Sequence, residues 1–408
     1  MTQRTTANRR RSVKVIAGLL SAGLVAAACG DDSSSSATTA AATSAAATTA
    51  AATTAAATTA AGTTAAATTT AAAASNLKFA TLDEIAALCP AANKPAKLVF
   101  STFPAQKDAM DKYLAPFKKA LGIEVEWLEN GLGDRLTKLA AEKGKPTIDV
   151  ALVPIAETPA LLANGIVEPT NTKLPNYEQL ISAAKFAGGY GVSALQFGIA
   201  YNPAFVNPAP TSWLDLLNPK YAGHIALPSM PNSGGYALLA MLARIGGGKE
   251  SDLKAAIDQI AAFKKQAHSF IGPTPQVEAQ IKSGEIRMYL DIGGVAVRAK
   301  AERNVPVEFV IPKEGAPLSI NSLVIPAGSK HKGCAEAFVA YMLGQEVQVG
   351  WAETLLYGST SSIVKMEPAL VSRLYPAPGA KTIVEIDWPA IAKGTADTMD
   401  YWNRKVLN

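Results

Sequence analysis

Histidine and cysteine are scarce in this sequence, with three of each among 408 residues. The histidines, His224, His268 and His331, are widely separated, and neither an H-E-x-x-H motif nor a paired-cysteine motif occurs. This pattern argues against a zinc hydrolase, and single surface histidines are the simpler explanation. We therefore expect no metal site and no cofactor.

The chain also lacks a surplus of charge once its first segment is set aside. Residues 1–28 contain five of the 38 Lys and Arg residues and no acid, so the remaining basic residues equal the 33 Asp and Glu in number. A nearly neutral chain without a concentrated basic face gives no reason to expect a nucleic acid as partner.

The N-terminal segment resembles a bacterial lipoprotein signal peptide. A basic head precedes the apolar run 15–28, which is too short for a comfortable membrane span, and small residues lead directly to Cys29. The resemblance implies cleavage before Cys29 and acylation of that residue. We therefore predict a signal peptide over residues 1–28 and a lipid anchor at Cys29, which holds the protein at the outer face of the cytoplasmic membrane or in the periplasm. An ordinary secretory signal is the alternative.

Residues 33–74 contain only Ser, Ala, Thr and one glycine. The segment has no hydrophobic periodicity and buries too little apolar surface to offset the entropy of ordering. We therefore predict that residues 29–75 form a disordered, lipid-anchored stalk. Its Thr-rich composition also makes it a candidate for O-glycosylation.

The remainder of the chain has the pattern of an α/β protein, because short runs rich in Val, Ile and Leu alternate with longer amphipathic segments. The first five elements predict a βαβαβ unit of a doubly wound sheet. Gly122 stands where the first helix is expected to end. A second cycle of strands and helices follows. The predicted elements of the first unit are strands at 97–101, 123–127 and 148–153 and helices at 106–121 and 132–142.

Two lobes follow from this alternation, with the chain returning to the first lobe after completing the second. We assign residues 76–195 and 293–335 to lobe 1 and residues 196–292 and 336–408 to lobe 2. Ligands of open α/β sheets bind beyond the carboxyl ends of the strands. The candidate site turns are therefore those that follow predicted strands, at 101–104, 154–157, 228–235 and 291–294.

Two cysteines remain besides Cys29. Cys89 and Cys334 are a candidate disulfide, because pairs of cysteines oxidise in an exported protein. Two independent buried thiols are the alternative. If bonded, the pair ties the segment before the first strand to the start of a late helix.

Ser362 and Lys365 match S-x-x-K, the nucleophile motif of penicillin-interacting enzymes. Neither S-D-N nor K-T-G accompanies this motif, and a match with two free positions is common by chance. An exported serine acyl-transfer enzyme that uses Ser362 and Lys365 is nevertheless kept as an alternative function.

Further segments carry motifs in a defined order along the chain. They are GIAYNP at 198–203, TSWLDLL and PKYAGHIAL within 211–227, GEI at 284–286, VIPKEG at 310–315, NSLVIP at 321–326 and AETLLY at 352–357. Together these motifs resemble the solute-binding proteins of bacterial ABC importers, in particular the spermidine/putrescine-binding family. The resemblance extends over most of residues 95–408.

That resemblance implies a type II periplasmic-binding-protein fold with two lobes, each a doubly wound sheet with flanking helices, and a ligand cleft between the lobes that closes by hinge bending. It further implies a monomeric receptor without enzymatic activity. Such a receptor captures a small polar solute and delivers it to an ABC permease and its ATPase. A ligand-sensing lipoprotein that does not transport is a second alternative.

Polyamine binders of this family resemble one another in having acids that neutralise the ammonium groups and aromatic rings that sandwich the methylene chain. This sequence departs from that pattern, since residues 228–235 carry no acid, Asn321 stands where an Asp is usual, and Ser319 and Ile292 replace aromatic residues. The acids left near predicted cleft turns are Asp291 and Glu157, which can hold one amine between them.

Ser233, Gly234 and Gly235 lie at a predicted helix N-terminus and offer exposed N–H groups, a hydroxyl and the positive end of a helix dipole. An anion site there favours a zwitterion or small anion as ligand, whereas a simple Ser N-cap is the alternative. The predicted ligand-binding residues are Ser101, Thr102, Phe103, Glu157, Ser233, Gly234, Gly235, Tyr236, Asp291, Gly293, Asn321 and Tyr357.

Overall fold

One continuous sheet of eleven strands runs through the computed structural model, which describes residues 77–271, 275–377 and 379–408. The predicted signal peptide, the lipid anchor at Cys29 and the stalk over residues 29–75 lie outside the described residues. Within these ranges, no helix has both the length and the apolar character that a bilayer span requires.

The strands are β1 Lys97–Thr102, β2 Glu124–Glu129, β3 Val150–Pro154, β4 Lys185–Phe186, β5 Gly189–Tyr201, β6 Ile225–Pro228, β7 Ser269–Ile271, β8 Met288–Ile292, β9 Glu308–Val310, β10 Ala316–Val324 and β11 Ile383–Val384. The helices are α1 Leu82–Ala86, α2 Gln106–Met110, α3 Ala115–Leu121, α4 Leu132–Ala141, α5 Thr158–Ala163, α6 Ser233–Ile245, α7 Lys254–Phe263, α8 Pro275–Ser283, α9 Gly293–Arg303, α10 Lys332–Met342, α11 Gln345–Leu355, α12 Pro368–Val371, α13 Trp388–Lys393 and α14 Thr395–Trp402.

The strand order is β2-β1-β3-β10-β5-β8-β6-β7, with β11 beside β10 and with β4 and β9 beside β5. β1 is parallel to both β2 and β3, so the predicted βαβαβ unit is confirmed. The helix predicted over 106–121 is not continuous, because 111–114 forms a 3₁₀ turn between α2 and α3. Pro116 explains the break, since proline cannot donate a helical hydrogen bond and its ring clashes with the preceding turn. Gly122 ends α3 with a φ of 60°, in the left-handed conformation predicted for it.

β5 and β10 are the long strands of the sheet, and both are buried along their whole length. They pair antiparallel from Leu318 opposite Gln196 to Leu323 opposite Tyr190. In the sequence, short apolar runs predict strands only at 198–201 and 323–325, near the ends of β5 and β10. Buried polar side chains such as Ser193 interrupt the apolar pattern on which strand prediction depends.

Two large hydrophobic clusters of the described residues each include part of this strand pair and form two cores. The first contains Phe100, Phe117 and Phe338, whose rings contact one another at centroid distances of 5.1 and 5.5 Å. The second contains Trp213, which is fully buried and donates a 2.8 Å hydrogen bond from Nε1 to the carbonyl oxygen of Gly315. Burial of large aromatic side chains supplies most of the hydrophobic stabilisation of such cores.

The predicted lobe boundaries stay a prediction, and the helices are distributed over the hydrophobic clusters as follows. α11 and the part of α10 after residue 335 were assigned to lobe 2, and their Phe338 and Trp351 pack in the first core with Phe100. α9 was assigned to lobe 1, and its Ala296 packs with Tyr289 of β8 in a third cluster. α13 and α14 pack in the second core. The chain therefore crosses between the cores again after α11, and no local sequence signal marks that crossing.

Cys89 and Cys334 are joined by a disulfide that links positions 245 residues apart. Cys89 follows α1 and Cys334 lies in α10, so the bond ties the segment that precedes β1 to the first core. The bond restricts the unfolded chain more than the folded chain, because it closes a very long loop.

We expect reduction of this disulfide to lower the free energy of unfolding by about 3–5 kcal/mol. Guanidinium unfolding of the wild type with and without dithiothreitol measures the effect. The double variant Cys89→Ser/Cys334→Ser is the matched control and should be insensitive to dithiothreitol. Equal stability of the oxidised and reduced wild type would contradict this prediction.

Candidate ligand-binding cleft

The carboxyl end of β1 contributes three of the predicted site residues, and the structure turns two of them inward. Ser101 and Thr102 are fully buried. The Ser101 hydroxyl is hydrogen bonded to Asn130 Oδ1 at 3.2 Å, and the Thr102 hydroxyl donates to the side chain of Gln106. Phe103, the third, is only half-buried. Ser101 and Thr102 therefore hold the turn together, and Phe103 is the residue of this turn that faces outward.

A buried arginine that the sequence analysis missed lies beneath this turn. Arg135 of α4 has no exposed surface, and its guanidinium lies 4.5 Å from the ring centroid of Phe103. Nε donates to Ser101 Oγ at 3.0 Å, Nη1 to the carbonyl oxygen of Leu152 at 2.8 Å and Nη2 to that of Asn130 at 2.8 Å. Burial lowers the pKa of Arg135 to about 10, so the side chain remains charged at neutral pH.

Glu157 and Tyr236 are predicted site residues from elements distant in sequence, and they lie close together. Glu157 ends the 3₁₀ turn after β3, and burial raises the pKa of its carboxyl group. Tyr236 of α6 is 7% exposed, and its pKa is raised by burial and further by the charge of Glu157. Its hydroxyl makes no hydrogen bond within the described residues, although the side chain of Thr395 is nearby.

The N-terminus of α6 begins at Ser233, as the predicted anion site requires. The N-cap is Asn232, however, whose Oδ1 accepts the N–H of Gly235 at 2.8 Å. Asn232, and not Ser233, is therefore the N-cap of α6. The N–H of Gly235 is bound to Asn232 and is not free to bind an anion. Gly234 and Gly235 are buried, and Ser233 is half-buried.

Asp291, at the end of β8, is 7% exposed. Burial raises its pKa to about 7, although Oδ1 accepts the N–H of Ile292 at 2.8 Å and a hydrogen bond from Tyr289 also favours the charged form. No basic side chain of the described ranges forms an ion pair with Asp291, and Arg303 attracts it only weakly. Tyr357 lies near enough for the charge of Asp291 to raise its pKa, to about 12, with burial as the larger cause.

The structure does not bring Asp291 and the α6 N-terminus to the same face of β8. Asp291 shares a face with Tyr289, which packs in the hydrophobic cluster beside α8 and α9. Leu290 points the opposite way, toward Gly234, where an added Cβ would lie 3.1 Å from the leucine. Because side chains alternate along a strand, a ligand that reaches both Asp291 and Ser233 has to pass around the carboxyl end of β8.

The remaining predicted residues are Asn321, Tyr357 and Gly293. Asn321 of β10 is 6% exposed and donates from Nδ2 to Ser193 Oγ at 3.0 Å. Tyr357 stacks on Trp351 with a centroid distance of 6.0 Å. Gly293, at the start of α9, is covered by Tyr375, because a Cβ there would lie 2.3 Å from the Cβ of that tyrosine. Gly293 therefore permits close packing and does not offer a free helix N-terminus.

The alternative Ser362–Lys365 pair is not arranged for acyl transfer. Ser362 Oγ donates to the carbonyl oxygen of Gln179 at 2.8 Å. Lys365 is exposed at a cavity of about 410 Å³ beside α11, and its backbone N–H donates to Gln345 Oε1 at 3.0 Å. No hydrogen bond joins the two side chains in this described segment, whereas a nucleophile and its base require one.

Sequence signals for the missed residues were weak but present. Arg135 lies on the same helix face as Leu132, Leu136 and Leu139, so a cation interrupts the apolar stripe of α4. Asn232 directly precedes the apolar run of α6, which is the usual place of an N-cap. Over the part of the chain that is described, no group of three or more His, Cys, Asp and Glu side chains is arranged to hold a metal ion.

A family model described as bacterial extracellular solute-binding protein matches residues 112–371. The chain belongs to this family. The resemblance inferred from the sequence motifs is therefore confirmed. The solute-binding protein is 28% identical to a probable ABC transporter periplasmic-binding protein of Sinorhizobium fredii, over 76% of this chain and 89% of that protein.

Other relatives are named for particular ligands. The spermidine/putrescine-binding periplasmic protein of Escherichia coli is 28% identical over 47% of this chain and 55% of its own length. A putative 2-aminoethylphosphonate-binding periplasmic protein of Salmonella typhimurium is 27% identical over 58% of this chain and 69% of its own. The crystal structure of an ABC transporter from Clostridium perfringens superposes with a TM-score of 0.65 at 24% identity, covering 76% of this chain and 99% of the other. This match confirms the predicted fold class.

The raised pKa of Asp291 predicts that the solute-binding protein loses stability as the pH rises. Between about pH 4, where an unfolded aspartate titrates, and pH 7, the folded protein retains a proton that the unfolded chain has released. Stabilisation that is complete below pH 4 is therefore lost as the pH rises through 7. A pKa of about 7 corresponds to a loss of about 4 kcal/mol.

Urea unfolding of the wild type and Asp291→Asn at pH 4.5 and pH 8 measures this loss. Between these two pH values, the free energy of unfolding of the variant should change by several kcal/mol less than that of the wild type, since Asn does not titrate. Asp258→Asn, at a half-exposed surface aspartate, is the matched control and should behave as the wild type. The same pH dependence in all three proteins would refute the assignment.

Proposed function

We propose that this protein is a lipid-anchored receptor of an ABC importer that captures a small zwitterion or small anion and delivers it to the permease. The proposed ligand class rests on the environment of Asp291. Its carboxyl group is buried, its pKa is raised, and no basic side chain of the described residues forms an ion pair with it. A buried carboxylate of this kind gains most when a ligand supplies the missing cation. One ammonium group is therefore well accommodated.

Two ammonium groups are not well accommodated by these residues. Among the predicted cleft residues only Asp291 and Glu157 are acids, and burial raises the pKa of both, so each resists ionisation without a cation beside it. Asn321 is hydrogen bonded to Ser193 and brings no charge. A polyamine places a positive charge at each end of an apolar chain, so it requires both of these buried carboxyl groups to ionise, each beside its own amine.

The anionic half of the proposal has its support at α6. Asn232 uses the N–H of Gly235, but no backbone partner is found for the N–H groups of Ser233 and Gly234 in the described structure. These groups and the Ser233 hydroxyl lie at the positive end of a 13-residue helix. Such an end favours a carboxylate, phosphonate or sulfonate.

The relatives are consistent with a choice within this family. One is named for spermidine and putrescine and another for 2-aminoethylphosphonate, which has one amine and one phosphonate. The amino-phosphonate class agrees better with the charges of this cleft. We extend the proposal to aminocarboxylates and aminosulfonates, because their charge pattern is the same.

Substitution Asp291→Asn should weaken binding of an amine-bearing solute at least about tenfold at pH 8, since a charge-assisted hydrogen bond contributes about 1.5–3 kcal/mol. Wild-type affinity for an aminocarboxylate, whose own charges do not change between pH 6 and pH 8, should also rise over that range, because burial raises the pKa of Asp291 to about 7. The variant should show no such rise with the same solute. Isothermal titration with 2-aminoethylphosphonate, aminocarboxylates and putrescine measures both effects. Asp258→Asn is the control.

Preference for putrescine over every zwitterion would reject the proposed ligand class. Unchanged affinity in Asp291→Asn would reject the role of Asp291 alone. A ligand present at a concentration of about a thousand times its dissociation constant stabilises the folded protein by about 4 kcal/mol. Thermal melting of full-length protein with each solute therefore identifies which solutes to titrate.

The lipid anchor is tested separately. Substitution Cys29→Ser should abolish the acyl mass on the mature N-terminus and release the protein from the membrane fraction, because diacylation supplies most of the membrane affinity. Mass spectrometry and fractionation of the expressing cells measure both effects. Cys89→Ser, which removes a different cysteine, is the control, and a membrane-bound, unacylated Cys29→Ser protein would contradict the anchor.

A further inference from the structure

Arg135 differs from four arginines of the described chain in having no acidic partner. Four arginines form ion pairs with glutamate or aspartate, and all four are partly exposed. These are Arg244, Arg298, Arg303 and Arg404. Arg135 is fully buried, yet its acceptors are one hydroxyl and two carbonyl oxygens, all of them neutral.

An unpaired buried charge is costly. Removing an ion from water costs several kcal/mol even after the surroundings relax, and neutral acceptors offset only part of that cost. A guanidinium has five N–H groups, and three hydrogen bonds to protein acceptors are formed by Arg135. Two donors and one full positive charge are therefore left for a further acceptor.

The location of Arg135 is the edge of the sheet where ligands bind. Two of its acceptors, on Ser101 and Asn130, lie at or next to the carboxyl ends of the parallel strands β1 and β2, and the third, on Leu152, lies within β3. Ligands of open α/β sheets bind at this edge. Between the guanidinium and the outside lies the half-buried ring of Phe103, at 4.5 Å.

We propose that Arg135 is the lobe 1 group that binds the anionic end of the solute, and that the ring of Phe103 covers it until the solute displaces the ring. The inference rests on the proposed function and deepens it. Its ligand class is a solute with a carboxylate, phosphonate or sulfonate, each of which presents two oxygens to the guanidinium fork. Arg135 keeps its bonds to the strand ends, which hold the fork in position.

The experiment uses full-length protein in detergent and matched pairs of solutes. Each pair consists of an ω-aminocarboxylate and its amide, or an aminoalkylphosphonate and its monomethyl ester. Affinities are measured for the wild type, Arg135→Gln and Arg404→Gln. The last variant removes one positive charge from an exposed arginine that is paired with Asp400, and therefore controls for net charge.

In the wild type and in Arg404→Gln, each acid should bind at least about tenfold more tightly than its less charged partner. In Arg135→Gln that preference should fall severalfold, and the α6 N-terminus accounts for any preference that remains. A purely structural role for Arg135 would weaken both members of a pair equally. A preference for the acid that is undiminished in Arg135→Gln would therefore overturn the proposal.

Other outcomes separate this inference from the proposed function. Solutes that bind the wild type without any preference for the acid overturn the role of Arg135 and leave a receptor of another ligand class. Complete absence of binding across the panel counts against the proposed function and against the inference together.

A spectroscopic measurement covers the case in which Arg135→Gln does not fold. The Nε–H of Arg135 donates to Ser101 Oγ and gives its own ¹⁵N–¹H signal, which Arg135→Lys identifies by its loss. Titration of the wild type with the acid should shift this signal, and the amide should leave it in place. An unmoved signal at saturating acid overturns the proposal.

Discussion

The antiparallel pairing of β5 with β10 is the constraint on which the rest of the structure depends. These two strands pair from Leu318 opposite Gln196 to Leu323 opposite Tyr190, and both hydrophobic cores pack against them. β3 joins the pair on one side and β8 on the other. The carboxyl ends of β3 and β8, with Glu157 and Asp291, therefore take their positions from one ladder of backbone hydrogen bonds.

Asn321 and two backbone carbonyl groups of this strand pair form hydrogen bonds with side chains distant in sequence. Asn321 bonds to Ser193, and Gln348 of α11 donates from Nε2 to the carbonyl oxygen of Val192 at 2.7 Å. The Thr360 hydroxyl donates to the carbonyl oxygen of Gly191 at 2.9 Å. A buried polar group without a partner costs roughly 1–3 kcal/mol. These contacts therefore tie the chain segment that follows α11 to the strand pair and define where the chain crosses between the cores.

Two charged groups are buried at the predicted site turns. Arg135 is a guanidinium with neutral acceptors, and β8 ends in Asp291, a carboxyl group with which no basic side chain of the described residues forms an ion pair. Folding alone would be served better by apolar residues of similar size at both positions. The same two charges are complementary to a solute that carries an acid and an amine, which connects the electrostatics of the fold with the ligand class that we propose.

Local patterns in the sequence determined the α/β class, the βαβαβ unit, the end of α3 at Gly122 and membership of the solute-binding family. Those features depend on side-chain periodicity and short motifs, which neighbouring residues carry. Tertiary structure alone decided the full length of β5 and β10, the hydrophobic clusters in which α9, α10 and α11 pack, and the opposite faces that Asp291 and Leu290 occupy on β8. The place of Arg135 beneath Phe103 was likewise decided only by folding. The physical reason is that burial of a polar or charged side chain is compensated by partners far along the chain, and no local pattern of residues encodes that compensation.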